Sequence, residues 1–393
     1  MSWPTMSDYQ EAIQNPANCF SDATLKSGTA ALNALGLPQP ITGGFCSVYQ
    51  VTSGKTRWAV RCFLHDIKDL RDRYKQISGY LKWNRPKHMV GFEYVLEGIR
   101  VRGDWHPVLK MEWVDGDTLD VWIEKHLSEP KALRKLAERW VELLKGLEKV
   151  RIGHCDLQHG NILVDGSDNF RLIDYDGMYV PPLRGRGSHE RGHPAYQHPQ
   201  RDGKDFDESV DRFCALAIQT SLLALAESRD LWRRYYVGDN LIFRRSDFQN
   251  PDTAQVFEDL EKLGGTVADH SEALREACKV RLDKTPRLHD VKARRPGASQ
   301  SPRPEVAAPA VAAKTTGQSG ASTTVARPTI AAKTNGQGGK NPPVFPLPKS
   351  PAAVAVGGVK AVPAAPTALA SARRAPAPPP AATAPARSRS TSL

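Results

Sequence analysis

Asp156, Asn161 and Asp174 fall within one stretch, His154 to Gly177, that reads H-C-D-L-Q-H-G-N-I-L-V-D-G-S-D-N-F-R-L-I-D-Y-D-G. Asn161 follows Asp156 by five residues, and Asp174 opens D-Y-D-G directly after Leu172-Ile173. Apolar runs lie on either side of the polar turn, so the stretch predicts a short hairpin with the three polar side chains at its mouth. One carboxylate that accepts a hydroxyl proton, plus an amide oxygen and a second carboxylate that hold magnesium, are the parts phosphoryl transfer requires, since magnesium prefers hard oxygen ligands. An isolated Asp-Asn pair would read as a surface turn, because both residues bond their own backbone. The flanking apolar runs weigh against that reading.

H-C-D-L-Q-H-G-N resembles the catalytic loop H-R-D-L-x-x-x-N of the protein-kinase superfamily, and D-Y-D-G stands where that family has D-F-G. The resemblance implies that Asp156 and Asn161 are catalytic, with Asn161 and Asp174 as the metal ligands.

The elements that must position these residues are legible upstream. F-C-S-V-Y-Q-V-T, the turn Ser53-Gly54-Lys55 and R-W-A-V-R-C-F form a predicted hairpin. Its front, I-T-G-G-F-C-S-V-Y, resembles the family's glycine-rich loop, which implies nucleotide contacts from Gly43 and Gly44, whose backbone amides can meet phosphates, and from Val48. Ile41 and Cys46 replace two of the family's three glycines. W-A-V-R occupies the place of V-A-I-K, so Ala59 is implied to lie against adenine and Arg61 stands where the family keeps a phosphate-gripping lysine. A planar guanidinium is not interchangeable with an ammonium.

Leu70, Tyr74, Ile77 and Leu81 share one helical face within residues 66–81. By resemblance this is the family's regulatory helix, and Gln76 is the best match for the glutamate that pairs with the lysine. E-Y-V-L-E-G-I-R-V and P-V-L-K-M-E-W-V-D-G-D-T-L alternate like adjacent strands. The second is similar to the family's hinge, implying Met111 behind the base and Glu112, Trp113 and Val114 along it.

Helices are expected at 116–127 and 130–150, the second with a clear 3.6-residue apolar stripe. The segment after Gly177 is too rich in Gly, Pro and Arg for regular structure, and Ser188 and Tyr179 are its only hydroxyls before Pro194. G-H-P-A-Y-Q-H-P-Q resembles the substrate-side G-T-P-x-Y-x-A-P-E, with Gln200 in place of the glutamate. S-V-D-R-F-C-A-L-A-I is similar to the family's buried aspartate helix, which implies that Asp211 bonds catalytic-loop backbone.

At the N-terminus, D-Y-Q-E-A-I-Q and K-S-G-T-A-A-L-N-A-L-G read as helix-forming stretches broken at Pro16 and ended at Gly36. They are expected to form an extension (1–37) packed on the lobe that follows. Beyond residue 290 the composition changes. Residues 291–393 hold 14 Lys and Arg against the single acid Glu305, leaving 40 basic and 42 acidic residues in 1–290. The formal net charge of +11 therefore describes the tail and does not make the folded part a binder of specific nucleic acids. Poor in aromatics and aperiodic, the tail is expected to be disordered. N-P-P-V-F-P-L-P-K-S-P within it is a candidate for a polyproline-binding partner, with a plain linker as the alternative.

None of the six cysteines forms C-x-x-C, and they read as packed, reduced thiols. Neither a signal peptide nor a membrane span is expected, so the protein reads as cytoplasmic without a membrane partner.

The expectation is an α+β chain. A bilobal protein-kinase-like domain (38–290), with a small β-rich N-lobe over a helical C-lobe, follows the extension and precedes a disordered Pro/Ala-rich basic tail (291–393). Three functions fit the resemblance. The first is a divergent, bacterial-type serine/threonine protein kinase that uses ATP and Mg2+ on a protein substrate. The second is a pseudokinase scaffold, suggested by Arg61, Gln76 and Gln158. The third is a small-molecule kinase, against which G-x-P-x-Y-x-x-P and the Asp211 helix tell. Retention of Asp156, Asn161 and Asp174 together places the first ahead.

Overall fold

A computed structural model describes residues 3–42, 46–66 and 69–291. Gly43, Gly44 and the tail with its proline-rich piece lie outside the described residues. The chain opens with α1 (Met6–Ile13), α2 (Pro16–Cys19) and α3 (Ala23–Lys26), followed by β1 (Thr29–Ala30), β2 (Pro40–Thr42), β3 (Cys46–Ser53) and β4 (Thr56–Phe63). Next come α4 (Leu70–Asn84), β5 (Phe92–Val101) and β6 (Asp104–Glu112), which complete a β-rich lobe. The helical lobe contains β7 (Asp117–Thr118), α5 (Leu119–His126), α6 (Pro130–Lys149), and the short strands β8 (Ile162–Val164) and β9 (Phe170–Leu172). It continues through α7 (Arg212–Glu227), α8 (Asp230–Tyr235), α9 (Arg245–Gln249), α10 (Gln255–Leu263) and α11 (Gly265–Ala277). This is the two-lobed α+β architecture expected.

The sheet of the first lobe runs β1-β3-β4-β6-β5, with β2 also on β3, and the pairings are antiparallel. Its register matters for function. Val48 lies opposite Arg61 and Arg61 opposite Leu109, while Ala59 lies opposite Met111. Directly opposed residues share a face, as do residues two apart on one strand. Val48, Ala59, Arg61 and Met111 are therefore on one side of the sheet, the side on which Tyr74, Ile77 and Leu81 of α4 are buried beside Phe63 and Leu109.

The opposite side is covered by the N-terminal extension. Tyr9, Ile13, Cys19, Phe20 and Leu25 form a separate core with Tyr49, Val51, Val60, Cys62, Ile99 and Val108. One expectation fails here. The stretch from Lys26 to Gly36 is not a helix, since Thr29 and Ala30 pair with Thr52 and Val51 and Ala31 N–H donates to Gln50 O at 2.9 Å. A weak helix former beside an open sheet edge gains more from the ladder than from its own turns, because propensity differences are only about 1 kcal/mol per residue.

In the second lobe α6 buries Leu133, Leu136, Ala137, Trp140, Leu143, Leu144 and Leu147 along one stripe. Trp140 Nε1 donates to Ala215 O of α7 at 3.1 Å. Helix α7 buries nearly every residue from Phe213 to Ala226, as a helix apolar on all sides must. All six cysteines are buried free thiols. Among the described residues no helix is long and apolar enough to cross a membrane.

Phe20 is fully buried against the back of the sheet and bridges to Ile99. Phe20→Ala is expected to lower stability by about 3–5 kcal/mol in urea denaturation of the full chain. An unchanged midpoint would show that the extension contributes no packing.

Candidate functional site

The hairpin β8–β9 and the loop before it bring the three chemical residues together. Asp156 is fastened at both carboxylate oxygens: Oδ1 accepts the His193 backbone N–H at 2.7 Å, and Oδ2 accepts Asn161 Nδ2–H at 2.9 Å. Asn161 O accepts from Ile173 N at 3.0 Å, which ties the loop that carries Asp156 to the residue before Asp174. His154 Nε2 meets Ile173 O at 3.0 Å and ties it a second time. The expected role of Asp211 holds, since its carboxylate accepts from the backbone N–H groups of both His154 and Cys155.

Two non-glycine residues at the site take the left-handed conformation, Cys155 at φ 70° and Asp174 at φ 66°. Both are held in place by bonding around them. Tyr175, between Asp174 and Asp176, is buried with its hydroxyl accepting from Val90 N at 2.8 Å and donating to Leu172 O at 2.6 Å. Gly192 also requires its lack of a side chain. It sits at φ 70°, and a Cβ there would lie 2.7 Å from Cys155 O and 2.9 Å from Asp156 Oδ1. The segment that delivers His193 to Asp156 can pass this close only as glycine.

Arg61 departs from the expectation. Its guanidinium donates to Asp174 Oδ1 at 2.6 Å through Nη1 and to Asp176 Oδ2 through Nη2, and not to Gln76. The helix residue that reaches the cluster is Tyr74, whose hydroxyl donates to Asp176 Oδ1. Motif spacing alone points to Gln76, whereas the face that buries Leu70, Tyr74, Ile77 and Leu81 decides what α4 presents. Asp176, the second acid of D-Y-D-G, was not singled out from sequence. Its signal was its place two residues after Asp174.

The electrostatics follow from one cation among several acids. Burial opposes the charge on Arg61, yet Asp174 and Asp176 outweigh it and hold the guanidinium's pKa above its ordinary value. Burial likewise works against ionised Asp174, but Arg61 keeps its pKa below the usual carboxylate range. Asp176 is pushed up to about 6, first by burial and then by Asp174, against the pull of Arg61. Burial also raises Asp156, against the donated His193 N–H. Glu190, from the segment after Gly177, is pushed up to about 7 by burial and by Asp176, Asp174 and Asp156.

The remaining candidates lie on the sheet face that carries Arg61 and at the end of β6. Val48, Ala59 and Met111 are half-buried on the sheet face that carries Arg61. At the hinge, Trp113 N–H donates to Arg57 O at 2.8 Å, while Val114 N–H has no hydrogen-bond partner among the described residues. Glu112 is exposed, opposite Trp58. A hollow of about 350 Å³ beside the hinge is walled by Met89, Gly91, Glu112, Val114 and Arg171, among others. Neither Ala59, Arg61 nor Asp174 lines it. Gln200 is exposed, and Gln158 turns back to accept Gly160 N–H at 3.0 Å.

Among the described residues no three His, Cys, Asp or Glu side chains are grouped to hold a metal by themselves. The residues that could contribute to a magnesium site are one carboxylate, Asp174, and one amide oxygen, that of Asn161. Both are hard donors, which suits magnesium completed by phosphate oxygens and water. Arg61 fits a phosphate as well, since its buried Nε has no partner among the described residues.

No family model and no curated protein sequence matches the chain. Among solved structures, the kinase PK-1 of Cydia pomonella granulovirus aligns with a TM-score of 0.41 and 14% sequence identity, over 65% of this chain and 88% of that one.

Glu190 yields a pH test. Its carboxyl ionises near the usual 4.5 when unfolded and near 7 when folded, so the folded state binds the proton more tightly. Stability is therefore lost as pH rises across that window. Glu190→Gln is expected to raise the melting midpoint by roughly 5 °C at pH 8, in chelator and without nucleotide, and to change it little at pH 5. An equal shift at both pH values would refute the electrostatic origin.

Proposed function

We propose that the cleft binds ATP with magnesium and transfers its γ-phosphate to a hydroxyl, in the manner of a divergent serine/threonine protein kinase. The observation that carries this reading is the meeting of Asp156, Asn161, Asp174 and Arg61 in one cleft below the face bearing Val48, Ala59 and Met111. In the reaction, the acceptor oxygen bonds to the γ-phosphorus as the bond from that phosphorus to the β–γ bridging oxygen breaks. ADP leaves, and the hydroxyl proton passes to Asp156. A carboxylate whose pKa is raised by burial is the better proton acceptor for that step.

Asn161 has two parts in this scheme. Its Nδ2–H fixes Asp156, and its oxygen, with Asp174, would hold magnesium. That ion, when bound, neutralises charge on the phosphate oxygens. Arg61 would donate to the phosphates in forked geometry, which a lysine could not. Adenine would lie between Ala59 and the hinge, where Val114 N–H is available to it.

A second reading, a nucleotide-binding scaffold, is favoured by Gln158, which caps Gly160 instead of reaching toward a substrate. Labelled ATP separates the two: transfer of label to protein supports the enzyme, and binding without transfer supports the scaffold.

Asp156→Asn is expected to lower phosphoryl transfer by roughly 100- to 10,000-fold with ATP affinity retained. Turnover equal to the wild type would remove the catalytic assignment. For Asp174→Ala the expected loss is the magnesium dependence of nucleotide binding, read by titration with and without chelator. Magnesium-independent ATP affinity in the wild type would count against this.

A further inference from the structure

Arg61 has two acidic partners that differ in what surrounds them. The Asp174 side chain is 41% exposed, whereas that of Asp176 is 6% exposed. Asp176 is also occupied at both oxygens, by Arg61 on Oδ2 and by the Tyr74 hydroxyl on Oδ1. Tyr74 is itself fully packed, stacked on Tyr94 at 5.6 Å and edge-on to Phe92 at 5.6 Å. One partner is open to ligand and the other is closed.

We infer that Asp176 is a positioning residue: it anchors one end of the Arg61 guanidinium, while the end now on Asp174 is the one that turns to nucleotide phosphate. The inference rests on the nucleotide-binding reading above. A guanidinium has two terminal nitrogens and can keep one bond while exchanging the other, which an ammonium at the same depth does less selectively. A cation held by Asp174 would compete for that carboxylate and would free Nη1 for phosphate. Nη2 stays on Asp176, so the charge is not set free in the cleft.

The same arrangement accounts for a helix without an acid at the expected place. Once Asp176 supplies the carboxylate, α4 need contribute only a hydrogen bond, and the Tyr74 hydroxyl supplies it. Gln76 is then under no electrostatic demand. A buried cation stripped of its anchor would be uncompensated, which is why the anchor must be charged and Tyr74 need not be. Through Tyr74, the seating of α4 is coupled to the angle of Arg61.

The test uses the full chain as wild type, Arg61→Ala, Asp176→Asn, Tyr74→Phe and the Arg61→Ala/Asp176→Asn double variant. ATP is titrated calorimetrically in chelator and with magnesium, and steady-state KM and kcat are measured alongside. Arg61→Ala is expected to weaken ATP binding about 10- to 150-fold and Asp176→Asn about 10-fold, both without magnesium as well as with it. The double variant should bind no more weakly than Arg61→Ala alone, because Asp176 acts only through Arg61. For Asp176→Asn the change should fall on the KM for ATP more than on kcat. Tyr74→Phe should weaken ATP by roughly two- to fivefold, and it keeps the test decisive should Asp176→Asn fold poorly.

Wild-type binding with Asp176→Asn unchanged or tighter overturns this inference alone, the tighter case meaning that Asp176 restrains Arg61. Additive losses in the double variant also overturn it. No ATP binding by the wild-type chain overturns the nucleotide reading and this inference together.

Discussion

The carboxylate of Asp211 accepts the backbone N–H groups of both His154 and Cys155, and the geometry of the site depends on that pair of bonds. Two successive amides can converge on one anion only if the backbone between them turns, as Cys155 does at φ 70°. The turn sends Asp156 toward His193 and Asn161. Asp211 is fully enclosed, and burial raises its pKa while the donated N–H groups and His154 oppose that rise. It sits at the start of α7, whose packing on all sides leaves it no freedom. A helix outside the cluster thus sets where Asp156 stands.

Charge is the second organising constraint. Arg61 faces Asp174 and Asp176, with Glu190 nearby, and Asp176 and Glu190 are pushed up to about 6 and 7, first by burial and then by the neighbouring acids. Phosphate alone would add negative charge to such a cleft. Under the proposed function a divalent cation removes that conflict, and the hard oxygens of Asp174 and Asn161 are of the kind it takes. Free protein resolves the same conflict internally, with Arg61 shared between two acids.

The sheet is the third. Its front presents Val48, Ala59, Arg61 and Met111 beside Phe63 and Leu109, where Tyr74, Ile77 and Leu81 of α4 cover part of the face. Its back is filled by the N-terminal extension through Tyr9, Ile13, Phe20 and Leu25.

Much of this was legible in the sequence because it is local. Leu70, Tyr74, Ile77 and Leu81 repeat at helical spacing, α6 carries its stripe, and alternation in W-A-V-R-C-F puts Ala59 and Arg61 on one face. Asp156, Asn161 and Asp174 are close in chain and flank a hairpin, so their meeting needed only the short strands between them. What tertiary structure alone decided involves residues far apart. The partner of Arg61 lies more than a hundred positions away, at Asp176 and not Gln76, because the rotation of α4 on the sheet, set by its buried face, presents Tyr74. The stretch after Lys26 became an edge strand because a neighbouring strand had unpaired backbone groups to satisfy. Periodicity reports which face of an element is buried, but it does not report what lies opposite that face. At this site the distribution of charge follows from what lies opposite.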